Sequence, residues 1–405
     1  MTPLQSTPDR RHAGPAPTKV VFVSYGPFDC NSGGHIAGFA SELARLGLAV
    51  AVCAREPIGG AYAFGAPPFE FFSLDNLVAD PQGVIGFDGS FDPAATMMIG
   101  WTPRKPVRRA LTKGAMRLGV PFIVHFEDNE ELLSELRAAE AGGDEAAKEA
   151  LEADRLARAE LMKAALGATV IEPRLAEVLP EGLPHLVLEP GVDLEVFGAP
   201  LPPHRRASLL RALGAPANAK LIVYPGNIHR ANVGELAQLY RAVKQLRDRG
   251  REVVLIKTGK EDIGIVGSLG FEPADAGVLD LGIIERPFLV ELTKCADLFV
   301  QPGAPGPFND FRLPSKLPEF MAVGRPILLP RSNVGLRLRD GQDALLLDAG
   351  SADEIAAKVA MVLDDADLAG RLGRNAQAFA RRTYVWSRQG QKLLDFLQGL
   401  KASAG

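Results

Sequence analysis

Short apolar runs alternate with amphipathic stretches along almost the whole chain. The first series is Val20-Val21-Phe22-Val23, Ala49-Val50-Ala51-Val52, Met97-Met98-Ile99, Phe122-Ile123-Val124, Thr169-Val170-Ile171 and Leu186-Val187-Leu188. Such runs suit strands of a parallel sheet covered on both faces. Ile36, Phe39, Leu43 and Leu46 fall on one face of a helix between the first two. Beyond the proline-containing stretch Pro190 to Pro203 the pattern restarts. Its runs are Leu221-Ile222-Val223-Tyr224, Val253-Val254-Leu255-Ile256, Val278-Leu279-Asp280-Leu281, Leu298-Phe299-Val300, Ile327-Leu328-Leu329 and Ala344-Leu345-Leu346-Leu347. Leu236, Leu239, Tyr240 and Val243 mark a helix in this series, and Leu393, Leu394, Leu397 and Leu400 mark the last one. The alternation predicts an α/β protein of two Rossmann-like domains with a cleft between them. The expected boundaries are a disordered tail over 1–18, a first domain over 19–195, a second over 196–382 and a terminal helix over 383–405.

One junction carries most of the candidate chemistry. After the run ending at Val300 stands Phe308-Asn309-Asp310-Phe311-Arg312-Leu313-Pro314-Ser315-Lys316-Leu317-Pro318-Glu319-Phe320-Met321-Ala322-Val323-Gly324-Arg325-Pro326. A loop with serine, lysine and arginine thus opens a short helix at the carboxyl end of a strand. Open α/β sheets bind ligands there, and a helix N-terminus suits phosphates. Leu317, Phe320 and Met321 have the spacing to pack inward, which frees Lys316 and Glu319 to face a ligand. Donors for a diphosphate and a carboxylate for a sugar hydroxyl on one element point to a nucleotide-sugar enzyme.

Length and charge narrow the picture. At 405 residues the chain exceeds one ordinary core. Its 47% hydrophobic and 23% charged content is that of a soluble globular protein, and a net charge of −4 excludes a global pull toward nucleic acid. Cys30, Cys53 and Cys295 lie far apart with no CxxC pair, which argues against a disulfide framework or a zinc site. The opening residues lack an apolar leader core and no run is long enough to span a bilayer. The expected location is the cytoplasm, with or without peripheral membrane contact. The stretch 104–117 is strongly basic, with Arg104, Lys105, Arg108, Arg109, Lys113 and Arg117. Its simplest reading is an exposed helix, its sharper one a surface for anionic lipid or an anionic acceptor. Glu135 to Lys163, interrupted at Gly142-Gly143, reads as one or two exposed helices.

Several pieces, in order, resemble the retaining family 4 glycosyltransferases of GT-B fold. They are Ser32-Gly33-Gly34-His35, Glu189-Pro190-Gly191-Val192-Asp193-Leu194-Glu195-Val196-Phe197, Tyr224-Pro225-Gly226-Asn227-Ile228-His229-Arg230, Cys295-Ala296-Asp297-Leu298-Phe299-Val300-Gln301-Pro302 and Glu319-Phe320-Met321-Ala322-Val323-Gly324-Arg325-Pro326. The resemblance covers nearly all of the chain after the tail. It implies a C-terminal helix, entered at Tyr384-Val385-Trp386, that crosses back to the first domain. It also implies a metal-independent, cofactor-free enzyme moving a sugar, with retention, from a nucleotide-diphosphate sugar to a glycan, lipid or protein acceptor. The leaving phosphate would take the acceptor proton. A same-fold alternative is a nucleotide-sugar epimerase. From a different class comes a catalytically silent GT-B module that binds a nucleotide sugar or scaffolds a partner enzyme.

The resemblance assigns residues. Glu319 matches the family's second glutamate, on the ribose hydroxyls, while the first would fall on Phe311. Asp310 beside it, or backbone amides around Arg312 and Leu313, would contact the donor sugar instead. Lys316, with Ser315 as N-cap, is expected on the diphosphate, because a first-turn lysine is unfavourable at a helix's positive end unless an anion is bound. Asn227 and Asn232 stand where relatives carry arginine and lysine, so His229, Arg230 or Lys257 is expected to supply the missing charge. Gly33 and Gly34 would let a phosphate approach the backbone, with His35 assisting or capping. His125, at a strand end, is expected near the donor sugar, the competing reading being a satisfied core histidine. Asp128, Asn129 and Glu130 form a polar cluster on the expected acceptor side, and Ile284 marks a segment that holds the base through backbone groups. Catalysis is thus expected from His125, Lys316 and Asp310.

Overall fold

The computed structural model describes residues 16–28, 30–55, 67–74, 92, 94–116, 119–140 and 144–403. The expected tail through residue 15, the Lys113 side chain, Arg117 and the Gly142-Gly143 break lie outside this set. The chain forms two compact units. One takes the described residues up to Gly191 together with those from Trp386 on, and the other is Val192–Val385.

In the N-terminal unit the apolar runs become β1 (Lys19–Pro27), β2 (Ala49–Arg55), β4 (Thr96–Trp101), β5 (Phe122–Phe126), β6 (Gly167–Val170) and β7 (His185–Val187). A further strand, β3 (Glu70–Ser73), has only Phe71-Phe72 as an apolar signal and stands at the sheet edge, where a full run is not required. The order is β3-β2-β1-β4-β5-β6-β7, all parallel. Register stacks the runs laterally: Phe22 lies between Val52 and Ile99. Ile36, Phe39 and Leu43 of the helix Asn31–Arg45 join the same core as Leu393, Leu394, Leu397 and Leu400 of the terminal helix Trp386–Ser403. Trp386 sets its ring edge-on to Phe39 at 5.2 Å.

The basic stretch departs from a solvated face. It forms the helix Lys105–Ala110 followed by a wider π turn over Leu111–Met116, and Arg108 is 8% exposed. Arg108 pairs with Asp154, and Arg104 pairs with Glu130 at 2.8 Å. Their partners lie on two later helices, Glu130–Glu140 and Glu145–Ala164, the second capped by Asp144. Arg158 joins this pair of helices by reaching Glu131 at 3.2 Å, so the charges of Glu135 to Lys163 are partly cross-links.

The C-terminal unit contains β8 (Lys220–Pro225), β9 (Val253–Thr258), β10 (Val278–Asp280), β11 (Phe299–Val300), β12 (Ile327–Pro330) and β13 (Leu345–Leu347). They form the groups β10-β9-β8 and β11-β12-β13, joined by a parallel bridge between Ile222 and Leu298. In both units the first strand is central and the order reverses beside it. These are doubly wound α/β sheets, with switch points between β1 and β4 and between β8 and β11, where such sheets take ligands. Leu317, Phe320 and Met321 of the helix Leu317–Val323 are wholly buried, as their spacing predicts. Phe320 stacks on Phe299 with centroids 4.0 Å apart. Among the described residues no helix is long and apolar enough to cross a membrane.

Phe320→Ala removes that stack and leaves a cavity. A loss of about 3–5 kcal/mol is expected, read as a lower urea midpoint for the transition of the C-terminal unit. An unchanged midpoint would mean that the unit draws its stability from elsewhere.

Candidate functional site

The switch point of the C-terminal unit gathers positive charge. Lys316 donates to the Tyr224 hydroxyl at 3.0 Å, lies 4.1 Å from the centre of the Tyr224 ring, and stands 3.5 Å from Gln301 Oε1. Tyr224 belongs to β8 and Gln301 follows β11, so the ammonium is held where the two strand ends meet. Gly226 makes room for it: a Cβ there would lie 3.0 Å from Lys316 Nζ. Arg312 covers the Phe308 ring at 3.9 Å and donates to Asn309 Oδ1 at 2.7 Å and to Glu235 Oε2 at 3.4 Å. Asn309 in turn donates to Glu235 Oε1 at 2.6 Å and to the Ala304 carbonyl at 2.9 Å.

The proton affinities report the same field. Burial, and then the charges of Arg312 and Lys316, hold His229 below the usual imidazole range. Burial also pushes the Glu235 carboxyl up, against the opposing pull of Arg312, Asn309 and Lys316. Arg312 and Lys316 thus act on Glu235, and His229 feels both cations and the carboxylate of Asp262, an arrangement that a multiply charged anion would complete. Glu319 accepts from Arg286, the first residue of the helix Arg286–Lys294, whose guanidinium also covers Phe197 at 5.3 Å.

Other expected residues stand apart from this cluster. Lys257 is 0% exposed, with its ammonium on Asp280 at 2.8 Å and on the Gly259 carbonyl at 3.0 Å, so it braces the β9 and β10 ends. Asn227 and Asn232 staple their loop: Asn227 Oδ1 accepts from the Lys260 amide, and Asn232 bonds both the His229 amide and the Asn227 carbonyl. Arg230 is exposed, and Leu313 is buried. Asp310 accepts from the Gly306 amide at 3.4 Å within the short helix Pro307–Asp310. Ser315 does not cap the following helix. The cap position is Lys316, without a side-chain cap bond, because the Leu317 amide is already engaged by the Pro314 carbonyl and Pro318 has no N–H to offer. Ile284 is half-buried beside Ile283, which is 71% exposed. Sequence reasoning missed Glu235, Asn309, Gln301 and Arg286 as partners. Two signals were present: Glu235 in the first turn after the β8 loop, and Gln301 directly after β11.

The N-terminal unit carries a different polarity at its own switch point. Glu127 accepts from the Ser32 hydroxyl and from His35 Nδ1 at 2.7 Å. Burial opposes its charge, yet His35, His125 and Ser32 outweigh burial and hold the carboxyl down at about 2. Arg104 covers the Tyr25 ring at 4.1 Å and lies 3.5 Å from Asp128. His125 is 0% exposed, stacks on Trp101 at 3.8 Å and places Nδ1 2.8 Å from Thr169 Oγ1. Burial lowers it to about 3, so it is neutral at physiological pH, and its Nε2 has no hydrogen-bond partner among the described residues. Gly33 is required by its own loop, since a Cβ would lie 1.9 Å from the Phe28 carbonyl oxygen, whereas Gly34 faces open space. No group of three or more metal-ligating side chains is present among the described residues.

Residues 219–365 match the family Glycosyl transferases group 1. D-inositol 3-phosphate glycosyltransferase from Thermobispora bispora is 28% identical over 69% of this chain and 65% of its own length. The enzyme of that name from Nocardiopsis dassonvillei is 28% identical over 53% of this chain and 50% of its own length. The chain therefore spans about half to two thirds of these relatives. In structure it resembles Anabaena Alr3699/HepE in complex with UDP-glucose, with a TM-score of 0.68 and 16% identity over 94% of this chain and 99% of that one. It also resembles sucrose-phosphate synthase from Thermosynechococcus elongatus, with a TM-score of 0.72 and 14% identity over 95% and 100% of the two chains. At those identities the structural likeness is one of fold. The architecture is thus the GT-B fold, and its C-terminal unit carries the segment that matches the group 1 glycosyltransferases.

The Glu127 contacts set a pH dependence. The folded carboxyl titrates below the ordinary range, so its stabilisation is full above that range and is lost as pH falls toward about 2. Glu127→Gln is expected to cost about 1–3 kcal/mol at neutral pH. Urea denaturation across a pH series should show the gap to the parent closing on acidification. A gap independent of pH would mean that the carboxylate is not held charged.

Proposed function

We propose that the protein is a retaining, metal-independent glycosyltransferase using a nucleoside-diphosphate sugar as donor. The observation that most supports this reading is the convergence of Arg312, Lys316 and His229 at a switch point inside the matched segment. Departure of a nucleoside diphosphate concentrates negative charge on its phosphates, and fixed cations already in place stabilise that charge without reorganising. Lys316 serves as a point charge and Arg312 as a planar fork. Glu319, oriented by Arg286, takes the ribose hydroxyls, and the backbone around Ile284 takes the base. In the N-terminal unit, neutral His125 offers Nε2 to a sugar hydroxyl. UDP is the first nucleotide to test, because HepE is described in complex with UDP-glucose.

The Phe311 side chain, where the family carries a glutamate, favours a second reading as a binding module without turnover. Thermal-shift and donor-hydrolysis measurements with UDP, GDP, ADP and dTDP and their sugar conjugates separate the two. The transferase reading expects a raised midpoint with one nucleotide family and slow hydrolysis of its sugar conjugate; binding with no turnover under any acceptor would favour the module. Lys316→Ala is expected to weaken nucleoside-diphosphate affinity about 10–100-fold. Undiminished affinity would remove the lysine from the phosphate site.

A further inference from the structure

The guanidinium of Arg312 is held along one edge and left open at the other. Its Nε and Nη2 donate to Asn309 Oδ1 at 3.1 and 2.7 Å, and Nη2 also reaches Glu235 Oε2 at 3.4 Å. Phe308 covers one face at 3.9 Å. These contacts engage the N–H groups on Nε and Nη2. The two N–H groups on Nη1 have no hydrogen-bond partner among the described residues, and the side chain keeps 15% exposure. A planar fork fixed in this way offers its free donors without first losing rotamer freedom.

The anchor is itself anchored. Asn309 is 4% exposed, and its Nδ2 donates to Glu235 Oε1 at 2.6 Å and to the Ala304 carbonyl at 2.9 Å. Only this orientation of the amide sets Oδ1 against the Arg312 donors. Turned over, it would meet them with N–H groups and set its oxygen against the Glu235 carboxylate. The main chain is fitted to the same bond: at Gly303, where φ is +132°, a Cβ would lie 2.7 Å from Glu235 Oε1 and 2.8 Å from Asn309 Nδ2. The Asn309 carbonyl accepts from buried Asn333 at 2.9 Å, which ties down the short helix Pro307–Asp310.

These distances separate two roles for Glu235. A simple counter-ion would make its short contact with the guanidinium. Glu235 instead makes it with a neutral amide and stands 3.4 Å from the charge. We propose that Glu235, acting through the Asn309 amide, is a positioning residue that presents the open Nη1 donors of Arg312 to a bound diphosphate. That the diphosphate belongs to a donor sugar rests on the transferase reading; the network itself lies wholly within Val192–Val385.

The test is calorimetric titration of the full chain with UDP, GDP, ADP and dTDP, and with inorganic pyrophosphate, which carries the diphosphate without base or sugar. Glu235→Gln and Glu235→Leu remove the same charge, but only the first retains an acceptor for Asn309. Glu235→Leu is therefore expected to bind about threefold to tenfold more weakly than Glu235→Gln. Asn309→Ala should weaken the parent by a similar factor. In the Arg312→Lys background, which keeps a charge but has no fork, both differences should vanish. Equal affinities for Glu235→Gln and Glu235→Leu, or a difference that persists in the Arg312→Lys background, overturn the proposal and leave the donor reading standing. Should Glu235→Leu lose its urea transition, Asn309→Ala with and without Arg312→Lys decides. A parent that binds pyrophosphate but no nucleotide sinks the donor reading alone, and pyrophosphate then reads the variants. A parent that binds neither overturns both.

Discussion

Holding Arg312 and Lys316 together beside His229, whose proton affinity burial lowers first and these two charges lower further, is the constraint on which the C-terminal unit depends. Like charges repel more strongly as water is excluded, so each cation has to be anchored. Lys316 rests on the Tyr224 ring face and its hydroxyl, and Arg312 rests on Phe308, Asn309 and Glu235. Glu235 offsets one charge and leaves the cluster cationic. Without a side chain at Gly226 the lysine can lie flat against the end of β8. Strand order, loop composition and the buried helix Leu317–Val323 all serve to keep these groups together.

The same topology carries the opposite sign in the N-terminal unit. There Glu127, held charged by His35 and Ser32, occupies the start of the helix Asn31–Arg45, a place where backbone amides would otherwise favour an external anion. A helix N-terminus already facing a carboxylate favours hydroxyls or cations over a second anion. Two doubly wound sheets thus offer different chemistry at equivalent positions, a buried carboxylate in one and a pair of cations in the other.

The fold was legible because its signal is local. Every apolar run of the two series became a strand, and Leu317, Phe320 and Met321 turned inward as their spacing required. β3 escaped because an edge strand needs little apolar surface. The site was legible only in part. Lys316, Arg312 and His229 meet, and Glu319 stands on an adjoining helix. The groups that hold them, Glu235, Gln301, Asn309 and Arg286, come from elements far apart in sequence, and no periodicity couples them. Lys257 shows the converse: a lysine directly after a strand reads as ligand-facing, yet its ammonium is spent on Asp280. The basic stretch 104–117 misled for the same reason, since Asp154, which buries Arg108, lies on a helix more than forty residues away.

The central claim is that the cationic switch point of the C-terminal unit is a nucleoside-diphosphate site. Hydrogen exchange of the full chain with and without UDP tests it most directly. The account predicts slowed exchange over 226–232 and 312–319, with the loop 282–284 following if the base binds there. Binding of UDP accompanied by protection confined to other segments, with these left unchanged, would contradict it.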